Sequence, residues 1–157
     1  MKKAVFFLKL ITGIFGLSAA VCQSVHASNN ILLIIANKQM TAKLSEPISL
    51  DDVLSFYAMK RKLLSNGERA TLLTHQLDSE ASILFCKHLL DSFPYQVKRK
   101  WDVAVFSGRA IRPITLDTNQ AIFTYIGENE NAIGYVLVDS TQINQIEENF
   151  HVIATFN

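Results

Sequence analysis

The chain has 157 residues, with 15 Lys plus Arg against 14 Asp plus Glu, two cysteines and 49% hydrophobic residues. That length supports one domain with a real core, and the near-neutral balance excludes a net basic field for holding nucleic acid or an acidic membrane surface.

The first element is an export signal. Met1-Lys2-Lys3 supplies a positive start, and Ala4 to Ala20 is apolar apart from Lys9, Thr12 and Ser18. Val25-His26-Ala27 offers small residues at −3 and −1, which places a cut after Ala27 and a single domain over 28–157. The segment is short and interrupted for a membrane span; the alternative to a cleaved signal is an uncleaved anchor. Ala19-Ala20-Val21 ahead of Cys22 is a poor lipoprotein box. The expected location is therefore periplasmic. Cleavage removes Lys2, Lys3 and Lys9 from the 15 basic residues, leaving 12 against 14 acidic ones, a formal charge of −2. It also leaves Cys86 alone, so no internal disulfide is expected. Cys86 lies in a helical pattern beside Phe85 and reads as a packed side chain.

Ile31 to Ala36 is a continuous apolar run and predicts a strand buried on both faces. Asn37 to Pro47 reads as a polar loop. Ser49, with Asp52 three residues on, caps a helix whose apolar face is Leu50, Val53, Leu54 and Tyr57. Ser65-Asn66-Gly67 is a turn signal, and Ala70 to Thr74 a second strand. Asp78 or Ser79 caps the next helix, with a stripe of Ala81, Leu84, Phe85, His88 and Leu89. Pro94 suits the start of a third helix, with Val97, Trp101, Ala104 and Val105 inward and Ser107-Gly108 at its end. Asp117, paired with Gln120, is expected to cap a fourth helix with Ala121, Ile122, Tyr125 and Ile126 as its apolar face. Ala132 to Val138 and Phe150 to Phe156 read as strands, the last at an edge. Strands alternating with helices predict an α/β fold, mainly parallel, covered by helices.

Three stretches resemble the phosphate-binding proteins of ABC phosphate importers and their short stand-alone relatives. Leu54 to Gly67, LSFYAMKRKLLSNG, is similar to the family's "IFLGK…W-x-x-G" stretch, with Phe56 at the F and Lys60 at the K. Tyr95 to Gly108, YQVKRKWDVAVFSG, is similar to a "W…VFSG" segment. Asn131 to Val136 resembles "GAIGYV". The order and spacing agree over roughly Ile31 to Ser140. The resemblance implies one lobe of a type II periplasmic-binding-protein fold, since full-length receptors are about twice this size. It also implies a small oxyanion such as phosphate as ligand, an ABC permease or a membrane sensor as partner, and no cofactor.

In the full-length family the anion sits on an "R-S-D-G-S-G-T" segment at a helix start. The matching stretch here is His75-Gln76-Leu77-Asp78-Ser79-Glu80-Ala81. Ser79 falls on the first serine, His75 where the arginine would be, Leu77 where the aspartate would be, and Ala81 where the threonine would be. Glu80 puts a negative charge beside the expected anion, which opposes binding. Ser79 and Asp78 serve equally as plain helix caps. Asn37 and Lys38 follow the first strand, where open α/β sheets place ligands. Gly108 and Arg109 offer a backbone nest and a guanidinium. Gly134 reads as close packing within a strand. No nucleophile elbow, zinc-ligand spacing or Gly-rich phosphate loop is present, so the chain is not expected to be an enzyme. The alternative is an interaction or sensory accessory module that keeps the fold without the anion.

Overall fold

The computed structural model describes residues 29–157; the expected signal and its cut after Ala27 lie outside them. A five-stranded sheet has the order β3-β2-β4-β1-β5. Its strands are β1 (Asn30–Ala36), β2 (Thr71–Thr74), β3 (Ile114–Thr115), β4 (Ala132–Asp139) and β5 (His151–Phe156). β2 pairs parallel with both β3 and β4, while β1 pairs antiparallel with β4 and β5. Four strands thus share one direction and β1 alone opposes them, giving a mixed α/β sheet with two parallel and two antiparallel pairings.

β1 is apolar throughout because both of its faces are covered. Leu32, Ile34 and Ala36 join one core cluster, and Ile31, Leu33 and Ile35 join the other. Side chains alternate across a strand, so a buried central strand needs no polar positions. The first cluster is closed by α2 (Leu50–Tyr57), α3 (Glu80–Leu84) with the turn Phe85–Leu89 that continues it, and α4 (Pro94–Phe106), through Val53, Phe56, Tyr57, Ala81, Phe85, Val97 and Trp101. The second is closed by α5 (Asn119–Glu128) and α6 (Ile143–Asn149) through Ile122, Ile126 and Ile146.

Local signals set most of the helix starts. Ser49 and Asp52 form a reciprocal capping box, Pro94 sits in the first turn of α4, and Ser79 caps α3. Three expectations are corrected, and one unassigned stretch gains structure. Asn37 to Pro47 is not all loop: Asn37 caps the short helix α1 (Lys38–Lys43), which buries only Met40 and so lacks a readable stripe. The cap of α5 is Thr118, whose hydroxyl accepts from the Ala121 amide. Asp117 instead accepts from the Gln76 side chain at 2.9 Å. His88 is exposed, because Phe85–Leu89 widens into a π-helical turn. The Leu90 amide there donates to Phe85 O, five residues back, and the extra residue breaks the 3.6-residue period. Finally, 140–149, unassigned from sequence, forms a 3-10 turn and α6, held by the single buried Ile146.

Candidate functional site

β2, β3 and β4 point the same way, so their C-terminal ends make one edge of the sheet. The chain leaving β2 turns there through His75 to Asp78 and enters α3. The Ser79 amide donates to Gln76 O, and the Ile83 amide to Ser79 O, both at 2.9 Å. Ser79 Oγ accepts from the Ser82 amide at 3.2 Å. With those groups engaged, the Glu80 and Ala81 amides are the unpaired donors that any helix start leaves over.

A buried hydroxyl cluster holds this turn from below. Tyr135 Oη lies 2.7 Å from both Thr74 Oγ1 and Ser82 Oγ. Both hydroxyls also lie within hydrogen-bond reach of His75 O, at 3.0 and 3.3 Å, so three hydroxyl protons are shared over four contacts. The Tyr135 ring stacks on Phe85 at 4.1 Å between centroids, and burial pushes its phenol up to about 12. Tyr135 therefore stays a neutral hydrogen-bonding post at any physiological pH.

Above the turn lies a depression of about 370 Å³, lined by Gln76, Leu77 and Asp78, by Lys98 and Trp101 of α4, and by the returning Arg112 to Thr115 segment. Lys98 Nζ and Arg112 Nη2 converge on the Asp102 carboxylate at 2.9 and 2.5 Å. The two cations hold the Asp102 carboxyl below its usual range. The walls offer an ammonium, a guanidinium, a primary amide and the Thr115 hydroxyl as donors, with Asp78 as an acceptor. Such a set suits a small polar or anionic solute.

The expected site residues divide among three places. His75, Asp78 and Ser79 share the β2–α3 turn. Asp78 lines the depression, and Ser79 lies one residue beyond its lining. His75 is buried, and its Nε2 has no hydrogen-bond partner. Burial lowers its pKa; the facing Tyr135 backbone and Asn119 side chain oppose this less strongly. A neutral imidazole does not supply the charge of the arginine that the resemblance places there. Asn37 and Lys38 lie at the other end of the sheet, because β1 runs against β4 and its last residue pairs near the start of β4. Asn37 donates to Ile126 O at 2.7 Å, and Lys38 to Glu148 O at 2.7 Å. Gly108 closes α4 with a left-handed φ of 67°, and Arg109 lines a different groove with Lys60 and Arg99.

Gln76, Lys98 and Arg112 were not among the residues expected to bind; from the sequence, Lys98 reads with Arg99 and Lys100 as the wet face of an amphipathic helix. The i, i+4 spacing of Lys98 and Asp102 was readable there; the return of Arg112 onto Asp102 depends on the tertiary fold. Cys86 is buried, and desolvation pushes its thiol up to about 11. Among the described residues, no three His, Cys, Asp or Glu side chains gather in a way that would hold a metal ion, and no helix is long and apolar enough to cross a membrane.

No protein-family model and no curated protein matches this chain. Solved structures do match its fold. An ABC-type phosphate transport receptor from Vibrio cholerae aligns with a TM-score of 0.51 at 14% identity, over 79% of this chain and 45% of the receptor. PstS from Borrelia burgdorferi aligns with a TM-score of 0.56 at 11% identity, over 80% of this chain and 47% of that one. The chain thus has the fold of part of these receptors and spans about half their length. At these identities the likeness is one of fold.

Proposed function

We propose that this chain is an exported, non-catalytic, solute-binding-like protein that takes phosphate or a similar small oxyanion in the depression above the β2–α3 turn. The observation that carries this proposal is a donor-rich hollow at the C-terminal edge of a sheet whose fold matches two phosphate receptors. Open α/β sheets bind ligands at that edge. Arg112 would present its remaining N–H groups to the anion, with Lys98 as a point charge and Thr115 as a hydroxyl donor. Asp78 would accept from a protonated phosphate oxygen. Export rests on the signal-like pattern of the N-terminal sequence and would place the protein in the periplasm, where an ABC permease or a membrane sensor would receive it. Binding through the described lobe alone is expected to be weak and rapidly exchanging, because its depression is open to solvent and covers only one side of a ligand.

Two observations favour a second possibility, an accessory module without the ligand. Asp102 already engages both cations, and Glu80 occupies the first turn of α3. The two are separated by selectivity. If Asp78 accepts from phosphate, Asp78→Asn should erase a preference for phosphate over sulfate in competition titrations. Arg112→Leu should weaken both anions by about tenfold. Indifference of both variants would favour the accessory module.

A further inference from the structure

A groove of about 1200 Å³ runs between α4 and the chain that follows α2. A hollow of about 220 Å³ adjoins it, sharing Met59 and Lys62. Of the 12 Lys and Arg residues outside the expected signal, eight line these two depressions, and Asp91 is the one acid among their lining residues. Arg61 is held by Asp52, and Arg112 by Asp102. Lys60, Lys62, Arg69, Arg99, Lys100 and Arg109 make no ion pair among the described residues. A chain with an acidic excess outside its expected signal has therefore gathered most of its positive charge on one face.

The same face exposes apolar side chains in register. Val97, Trp101 and Ala104 turn inward from α4. Tyr95, Arg99, Val103 and Phe106 follow helical spacing along its opposite side. Tyr95 is 69% exposed and Phe106 is 87% exposed. Phe93 stacks on Tyr95 at 6.0 Å and is itself exposed. A helix with a purely solvated outer face has no need of these residues, whereas an unoccupied docking face does.

We propose that this groove docks an acidic segment of a partner polypeptide, anchored by apolar side chains against Tyr95 and Val103 in the groove, with Phe106 exposed on the same side of α4 beyond its lining. Charge complementarity selects the sign of the partner. Size points to a chain rather than a small solute, because the groove exceeds the usual 300–1,000 Å³ of small-molecule pockets. Shape argues against a bilayer: Lys60, Lys62, Arg99, Lys100 and Arg109 line concave walls together with Tyr95 and Val103, and a flat headgroup plane meets such walls only at the rim. The proposal goes beyond the oxyanion site and does not depend on it.

Protein purified from cells expressing the full 157-residue chain tests this by fluorescence anisotropy. The probe is a labelled peptide of alternating Glu and Leu residues; a Lys–Leu peptide, a single-stranded DNA oligomer and phosphatidylglycerol vesicles run alongside. The acidic peptide should bind saturably and lose affinity steeply with added salt. Arg99→Glu should weaken it about tenfold or more, and Tyr95→Ala should weaken it at constant charge. Lys87→Glu, an equal change in charge on an exposed residue outside the groove, should have no such effect. Equal losses from Arg99→Glu and Lys87→Glu would overturn the proposal, as would binding to DNA or vesicles with none to the acidic peptide. Absence of any peptide binding would do the same.

Discussion

Tyr135 ties together more of the site than any other residue. Its hydroxyl meets Thr74 and Ser82, which bracket the turn that carries His75, Asp78 and Ser79. Replacing it by Phe keeps the stack on Phe85 and removes a buried partner from two hydroxyls. Tyr135→Phe should therefore destabilise the fold by about 1–3 kcal/mol, read from the urea midpoint; an unchanged midpoint would show that the cluster contributes nothing. His75 makes a second residue-scale prediction. Burial holds its pKa below the ordinary value, near 6.5 in the unfolded chain. The unfolded state then takes up the proton first as the pH falls. The stability from keeping His75 neutral is fully present above about pH 6.5 and is lost as the pH drops below it. His75→Asn should flatten the rise in stability between pH 5 and 7; an unaltered slope would assign that rise elsewhere. Ser79 as a cap was legible from its place ahead of an apolar helical run. The burial of His75 was not, because it is set by Tyr135 and Asn119, distant in sequence.

At the element scale, legibility followed the strength of the local pattern. β1, α2 and α4 carry long apolar runs or stripes with cap residues, and their positions were readable to within a residue. α1 and α6 bury one residue each, so no periodicity announces them. The π-helical turn after α3 shifts the inward line from His88 to Cys86, and no local signal marks it. The direction of β1 was also hidden, because a continuous apolar run is the same read parallel or antiparallel. That one reversal moves Asn37 and Lys38 away from the turn at Ser79. Gly134 in β4 was legible as a packing residue. A Cβ there would meet Ile122 Cγ2 at 3.1 Å and both Ile126 Cδ1 and Leu73 Cβ at 3.3 Å. Gly134→Val should cost about 1–3 kcal/mol by forcing α5 off the sheet, seen as a lower thermal midpoint. A midpoint at the wild-type value would mean that α5 does not pack this closely.

For the whole molecule, the sequence resemblance and the fold comparison point the same way while leaving the ligand to chemistry. The chain matches about half of each receptor, and the comparison therefore speaks to the fold of that half. Its charges are divided between two faces. At the depression above the β2–α3 turn, Lys98 and Arg112 are gathered but balanced by Asp102. Around the groove between α4 and the chain after α2, Lys60, Lys62, Arg99, Lys100 and Arg109 gather without an ion pair among the described residues. If the depression is an oxyanion site, Asp102 competes with the solute for the same two cations. Calorimetric titration of the wild type and Asp102→Asn with inorganic phosphate, at low ionic strength, tests this directly. Saturable binding should occur at up to millimolar phosphate, about −4 kcal/mol, and should tighten in Asp102→Asn as Lys98 and Arg112 are released. Silence in both proteins, or weaker binding after Asp102 is neutralised, would contradict an anion site in this depression.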